Sequence, residues 1–141
     1  MNREQIITEL VTKYRWAREQ IELSERDGHR CRYCDRDLLA SVDHFRQWSI
    51  DHIVPVSRGG DPRDRNNLAL ACWTCNIFKR QWDPRSETAL QDREALIGVT
   101  RKFLEAMRGT LDLRLAQQRD LIVRLRSAGD ETGAQGPFEG V

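Results

Sequence analysis

Cysteine occurs at only four positions, and they form two C-x-x-C pairs, Cys31/Cys34 and Cys72/Cys75. The opening MNREQIITEL has no apolar export stretch, so the expected compartment is the reducing cytoplasm, where disulfides are rare. Two close thiol pairs in that setting spell a tetrahedral zinc site. A redox dithiol is the rival, but it needs one pair and a βαβ setting. With all four positions supplied by protein, such a zinc is structural and leaves no open position for chemistry. The pairs are 37 residues apart, against the ~15–20 of a simple zinc ribbon. Any fold of this chain must therefore bring 31–34 against 72–75 and house a substantial insert between them.

The flanks read differently from the insert. Residues 3–26 place Ile6, Ile7, Leu10, Val11, Tyr14, Ala17 and Ile21 at three- and four-residue steps, which predicts one amphipathic helix ended by Asp27-Gly28. Between 31 and 80 that period vanishes. Trp48–Ile50 leading into Ile53-Val54, and Leu68–Ala71, read as strands joined by the turn-rich loop SRGGDPRDRNN. A short helix is expected from about Thr74 to Trp82. Residues 86–107 predict a further helix, broken at Gly109 and resumed over 110–127. Leu111, Leu115, Gln118, Ile122 and Leu125 step 4-3-4-3 for only about two heptads, so a monomer or a weak homodimer through these helices is expected. The expected organisation is an N-terminal helix (1–28) packing on a core (29–85), C-terminal helices (86–127) and a disordered Gly-rich tail (128–141). No apolar run reaches the ~18 residues of a membrane helix. The fold class is α+β, with a small zinc-clipped core and flanking helices.

Net charge is +1, which excludes nothing by itself. Its distribution is more informative, because the basic residues are concentrated in 58–80 and 101–126. That suits either a localised polyanion site or solvated helix faces.

The insert and second pair read SIDHIVPVSRGGDPRDRNNLALACWTCNIFKR. A neutral imidazole at His52 can take a proton from water. In an extended segment Asp51 points to the opposite face from His52, so one side chain can hold a metal while the other meets the attacking water. Asn76 offers an uncharged oxygen to the same ion. So few protein ligands leave room for water and phosphate oxygens, which favours a hard cation, Mg²⁺ or Mn²⁺.

Asp51-His52-Ile53-Val54-Pro55, Ser57, Gly59-Gly60, Asn67-Leu68 and Cys72-x-x-Cys75-Asn76-x-x-Lys79 together resemble the HNH endonuclease family, over about residues 29–82. The resemblance implies a ββα-metal finger, a hairpin and one helix around an ion. It implies that His52 is the general base, that Asp51 and Asn76 hold the metal, and that Asn67 steadies the loop and orients the histidine. It further implies hydrolysis of DNA, with 5′-phosphate and 3′-hydroxyl ends and double-stranded DNA as the expected partner. The final family position is often His and is Asn here. The alternative is a zinc-structured nucleic-acid-binding module without catalysis.

Asp43-His44 repeats the dipeptide eight residues earlier but lacks the following Ile-x-Pro and Gly-Gly. Lys79 and Arg80 would lie on Asn76's side of a helix, as phosphate contacts or as an exposed charged end. Arg58, Arg63 and Arg65 in the loop could embrace a duplex backbone. Trp73 and Trp82 flank the short helix, to pack near the zinc clip or to stack on bases.

Overall fold

The computed structural model describes residues 1–132. They fall into two compact units, the first spanning Met1–Glu105 and the second beginning at Ala106.

The first unit starts with two helices where one was expected: α1 (Arg3–Tyr14) and α2 (Arg18–Arg26). Asn2 and Gln5 cap α1 reciprocally, each side chain accepting the other's backbone N–H at 2.9 and 2.8 Å. Arg15 ends it in the left-handed conformation, φ 62°. No glycine marks the break. Tertiary contacts favour it: Trp16 packs on Phe45 and edge-on against Trp48, with ring centroids 5.9 and 5.7 Å away. The Gln20 side chain accepts the Ala17 N–H and starts the second helix. Ion pairs Arg3–Glu25 and Arg18–Glu4 tie the two helices together. Helix α2 ends at Asp27-Gly28 as expected, with Gly28 at φ 69°.

A loop carrying the first cysteine pair leads to the single-turn helix α3 (Val42–Phe45) and the strand β1 (Trp48–His52). β1 runs antiparallel to β2 (Leu68–Cys72) in the register Trp48↔Cys72, Ile50↔Leu70, His52↔Leu68. Every residue of β2 is buried, which explains its unalternating LALAC pattern: both faces are covered. The first strand stops at His52, two residues short of the expected Ile53-Val54. One further backbone bond, from the Ile53 N–H to the Asn67 carbonyl at 2.8 Å, closes the ladder, and a side-chain clamp takes over in which Asn67 Oδ1 accepts the Val54 N–H at 2.8 Å.

Helix α4 (Trp73–Lys79) follows β2 directly and is shorter than expected, because Arg80 adopts φ 50°. The connection then turns through Pro84–Ser86 into α5 (Arg93–Thr132), one continuous helix in place of the two expected. Gly109 does not break it. Glycine in a helix interior costs only about 1 kcal/mol relative to alanine, which the strong helix formers around it outweigh. Within the first unit Leu96, Ile97 and Leu104 of α5 join Leu38, Ile53, Leu70 and the cysteines in the core. Trp82 stacks flat on Phe103, 4.0 Å between centroids, whereas Trp73 is exposed. The second unit is the remainder of α5 as far as Thr132, with Leu115, Ile122 and Leu125 of the heptad seam exposed. Of the segment expected to be disordered, residues 128–132 are helical, and 133–141 lie outside the described residues. Among the described residues no helix is long and apolar enough to cross a membrane.

Candidate active site

The four cysteine sulfurs lie within 4.8 Å of one another. Cys34 Sγ and Cys72 Sγ are 3.7 Å apart, too far for a disulfide and close to the ~3.8 Å edge of a tetrahedron built on 2.3 Å Zn–S bonds. Each knuckle also turns a backbone N–H toward its first sulfur: Tyr33 to Cys31 and Cys75 to Cys72, at 3.4 and 3.3 Å. Hydrogen bonding among the crowded sulfurs pushes the Cys31 thiol up and pulls Cys34 down toward the thiolate that a metal needs. The donor set, its number and its spacing fit zinc. The ion would join 31–34 to 72–75 and so lock β2 and the start of α4 in place.

Beside this cluster, β1 and α4 together shape the cleft. Adjacent strand residues point to opposite faces, so Asp51 turns inward, almost fully buried, while His52 stays half-exposed. Asp51 Oδ2 accepts the Tyr33 hydroxyl at 2.6 Å and lies 3.1 Å from Lys79 Nζ. Burial pushes the Asp51 carboxyl up, opposed by the nearby Lys79 charge and the Tyr33 hydrogen bond. The Tyr33 hydroxyl is driven well above its ordinary range by burial and by Asp51's charge, so it stays a donor. Lys79 also donates to the His52 carbonyl at 3.0 Å. On α4, Asn76 Nδ2 donates to Ser49 Oγ and to the Ile50 carbonyl, both at 3.3 Å. These bonds leave Asp51 Oδ1 and Asn76 Oδ1 uncommitted, a pair of hard oxygen donors suited to a divalent cation. Asp51, His52, Ser57, Asn76, Arg80 and Gln81 line one open cleft of about 280 Å³. Ser57 donates a short hydrogen bond to Gln81 across its rim.

The imidazole is held from behind. His52 Nε2 meets the Pro62 carbonyl at 3.3 Å, an acceptor that fixes the proton on Nε2 and leaves the lone pair on Nδ1. Asn67 does not line the cleft. Its Nδ2 donates to the carbonyls of Val54 and Asp61, at 3.0 and 3.1 Å, and pins the loop from which Pro62 reaches the ring. Gly60 completes the clamp: a Cβ there would lie 1.9 Å from the Val54 carbonyl oxygen.

Several expected nucleic-acid contacts are placed differently. Lys79 is buried at 1% exposure, because three residues after Asn76 on a short helix is still the inner face; it neutralises Asp51 and does not reach solvent. Arg65 is held by Glu22 at 2.8 Å and its own carbonyl accepts Arg26. Arg58, Arg63 and Arg80 form no ion pair among the described residues, and Arg80 lies on the cleft. Asp43 and His44 sit in α3 away from the cleft, with His44 Nδ1 2.6 Å from Ser41 Oγ. The residue that spacing did not single out is Tyr33, within the first knuckle. A tyrosine between two cysteines carries no sequence signal for a carboxylate partner 18 residues away.

The segment 31–80, which carries both cysteine pairs, the two strands and α4, matches the family model described as HNH endonuclease. It is a small α+β unit, as its sequence predicted, and it points to nuclease-type chemistry. No curated protein and no solved structure matches the chain.

Proposed function

We propose that this protein is a divalent-metal-dependent endonuclease that hydrolyses phosphodiester bonds in DNA, with zinc at the four cysteines serving structure alone. The observation that supports this best is the meeting of Asp51, His52 and Asn76 at one cleft, with the histidine ring anchored through Nε2. Nδ1 of His52 takes a proton from water as the water oxygen bonds to phosphorus. The bond from phosphorus to the 3′ oxygen breaks, leaving a 5′-phosphate and, after protonation by solvent, a 3′-hydroxyl. Mg²⁺ or Mn²⁺ held by Asp51 and Asn76 would supply polarisation of the phosphoryl group and charge relief on the departing oxygen. Arg80 on the cleft, with Arg58 and Arg63 in the loop, supplies positive charge to the DNA backbone. The Lys79 ammonium already balances Asp51, so the protein would present little net negative charge to the cation, and substrate phosphate would supply the remainder.

The test is plasmid nicking by zinc-loaded protein across a panel of divalent ions. Wild type should nick with Mg²⁺ or Mn²⁺, and His52→Ala should bind DNA yet lose at least about 100-fold in rate. Salt-sensitive DNA binding with no cleavage in any ion would instead establish the non-catalytic binding module. Unimpaired nicking by His52→Ala would remove the histidine from the mechanism.

A further inference from the structure

At the far end of β1 from His52 lies a second concavity of about 250 Å³, lined by Tyr14, Arg15, Trp16, Gln20, Phe45 and Trp48. It exists because α1 breaks at Arg15 and turns Trp16 toward Phe45 and Trp48. Trp48 is fixed within it, its indole N–H donating to Ser24 Oγ at 2.9 Å. The walls are not sealed into the core: Tyr14 is 58% and Phe45 44% exposed. Water therefore faces several aromatic rings at one spot, with the Arg15 guanidinium beside them.

Charge narrows the ligand. Arg15 lines the recess, and Arg46 follows Phe45 in sequence; neither forms an ion pair among the described residues. Most arginines of the frame, by contrast, meet carboxylates, as Arg3, Arg18, Arg26, Arg32, Arg65, Arg93 and Arg101 do. An uncompensated guanidinium at the lip disfavours a cationic guest and favours a flat ring attached to an anion. Position points the same way. Trp48, Ile50 and His52 project from the same face of β1, so recess and imidazole are about 13 Å apart along the strand at ~3.3 Å per residue. At a rise of ~3.4 Å per nucleotide that is a span of about four nucleotides.

We propose that this recess receives one unpaired nucleobase of the substrate strand, so that the enzyme selects DNA presenting a single-stranded or extrahelical base within about four nucleotides of the scissile phosphate. The inference rests on the endonuclease reading for its register, but base capture is measurable without any cleavage. The base stacks on the Trp16 ring, and the Trp48 and Phe45 rings, set at 81° and 45° to it, wall the recess while Arg15 meets the phosphate.

The experiment uses the full zinc-loaded chain without added Mg²⁺ or Mn²⁺, and oligonucleotides that carry a short single-stranded gap with 2-aminopurine at each position in turn. One register should show quenching of 2-aminopurine on binding, and an abasic site at that register should weaken binding about 5- to 150-fold relative to a base. Trp16→Ala should abolish the quenching and that difference while leaving fully paired duplex affinity unchanged, and Trp16→Tyr should restore much of both. Phe45→Ala, at a more exposed wall, gives the same readout should Trp16→Ala fail to fold. Absence of quenching at every register, or equal loss of affinity for gapped and paired DNA in these variants, overturns the proposal. A protein that shows the quenching but never nicks with any divalent ion would keep the base site and refute the nuclease reading instead.

Discussion

Lys79→Met is the most discriminating single change outside the cleft. The substitution keeps the length of the stem and removes the charge. Lys79 and Asp51 have side-chain exposures of 0% and 6%, so their pairing is shielded from water. Removing one partner of a buried pair costs about 3–5 kcal/mol, because the carboxylate remains buried without compensation. The first unit spans residues 1–105. At ~2.1 cal/mol/K per residue its unfolding entropy is about 0.22 kcal/mol/K, so the loss corresponds to a fall in Tm of roughly 14–23 °C. The sign of the pH dependence follows from Asp51. Its carboxyl is already pushed up by burial, and losing the ammonium pushes it further. A raised folded pKa means the neutral form is favoured in the fold. The variant's penalty is therefore absent below the unfolded carboxyl pKa of ~3.9 and grows as pH rises through the folded value. Urea titrations of wild type, Lys79→Met, Asp51→Ala and the double variant, without added Mg²⁺, at pH 5 and pH 7 would measure this. We expect a larger loss at pH 7 than at pH 5, and a double variant at least about 1.5 kcal/mol more stable than the summed single losses imply. A loss under about 1 kcal/mol that does not change with pH would refute the reasoning, since the ammonium would then not be neutralising a buried carboxylate.

Stripping zinc with a strong chelator should abolish the cooperative thermal transition of the first unit and end nicking together, both restored by zinc and not by Mg²⁺. Gly60→Ala should lower stability by about 1–3 kcal/mol in urea, because its Cβ would meet the Val54 carbonyl oxygen at 1.9 Å and the loop must shift. Asp27 has a fully buried side chain; burial pushes its carboxyl up, but Arg26, the Leu70 N–H and Arg93 outweigh this and hold it below the ordinary range. Stability from Asp27 is thus present above pH ~3.9 and lost as pH falls through the lower folded value, so Asp27→Asn should cost about 3 kcal/mol at pH 7 and flatten the acid limb of an unfolding curve.

The parts of this fold legible in sequence are those fixed by local chemistry or by several residues at once. The cysteine spacing called for convergence of residues 31–34 and 72–75, and the sulfurs do converge. Asp27-Gly28 announced the end of a helix, because glycine tolerates the left-handed turn it takes there. The break at Arg15 was not legible, since its cause is the packing of Trp16 on rings 29 and 32 residues later. Gly109 misled in the other direction: a helix breaker by propensity alone, it is overruled by its neighbours. Lys79 shows why a helical spacing argument gives a side but not a depth. It does share Asn76's side of α4, yet that side faces Asp51 and not solvent. Charged side chains are almost never fully buried unless paired, and its partner could be read only from the fold.

The clamp made by Asn67 and Gly60 has one more consequence. Its bonds to Val54 and Asp61 close the neck of a surface excursion whose farther residues, Pro62 to Asn66, are exposed. Chain added between Arg63 and Asp64 would extend into solvent beyond a neck already tied off, and doubling such a length adds only about 0.6 kcal/mol of closure entropy. That stretch is the natural graft point for an added recognition peptide, and the hairpin beneath should keep its register whatever is inserted there.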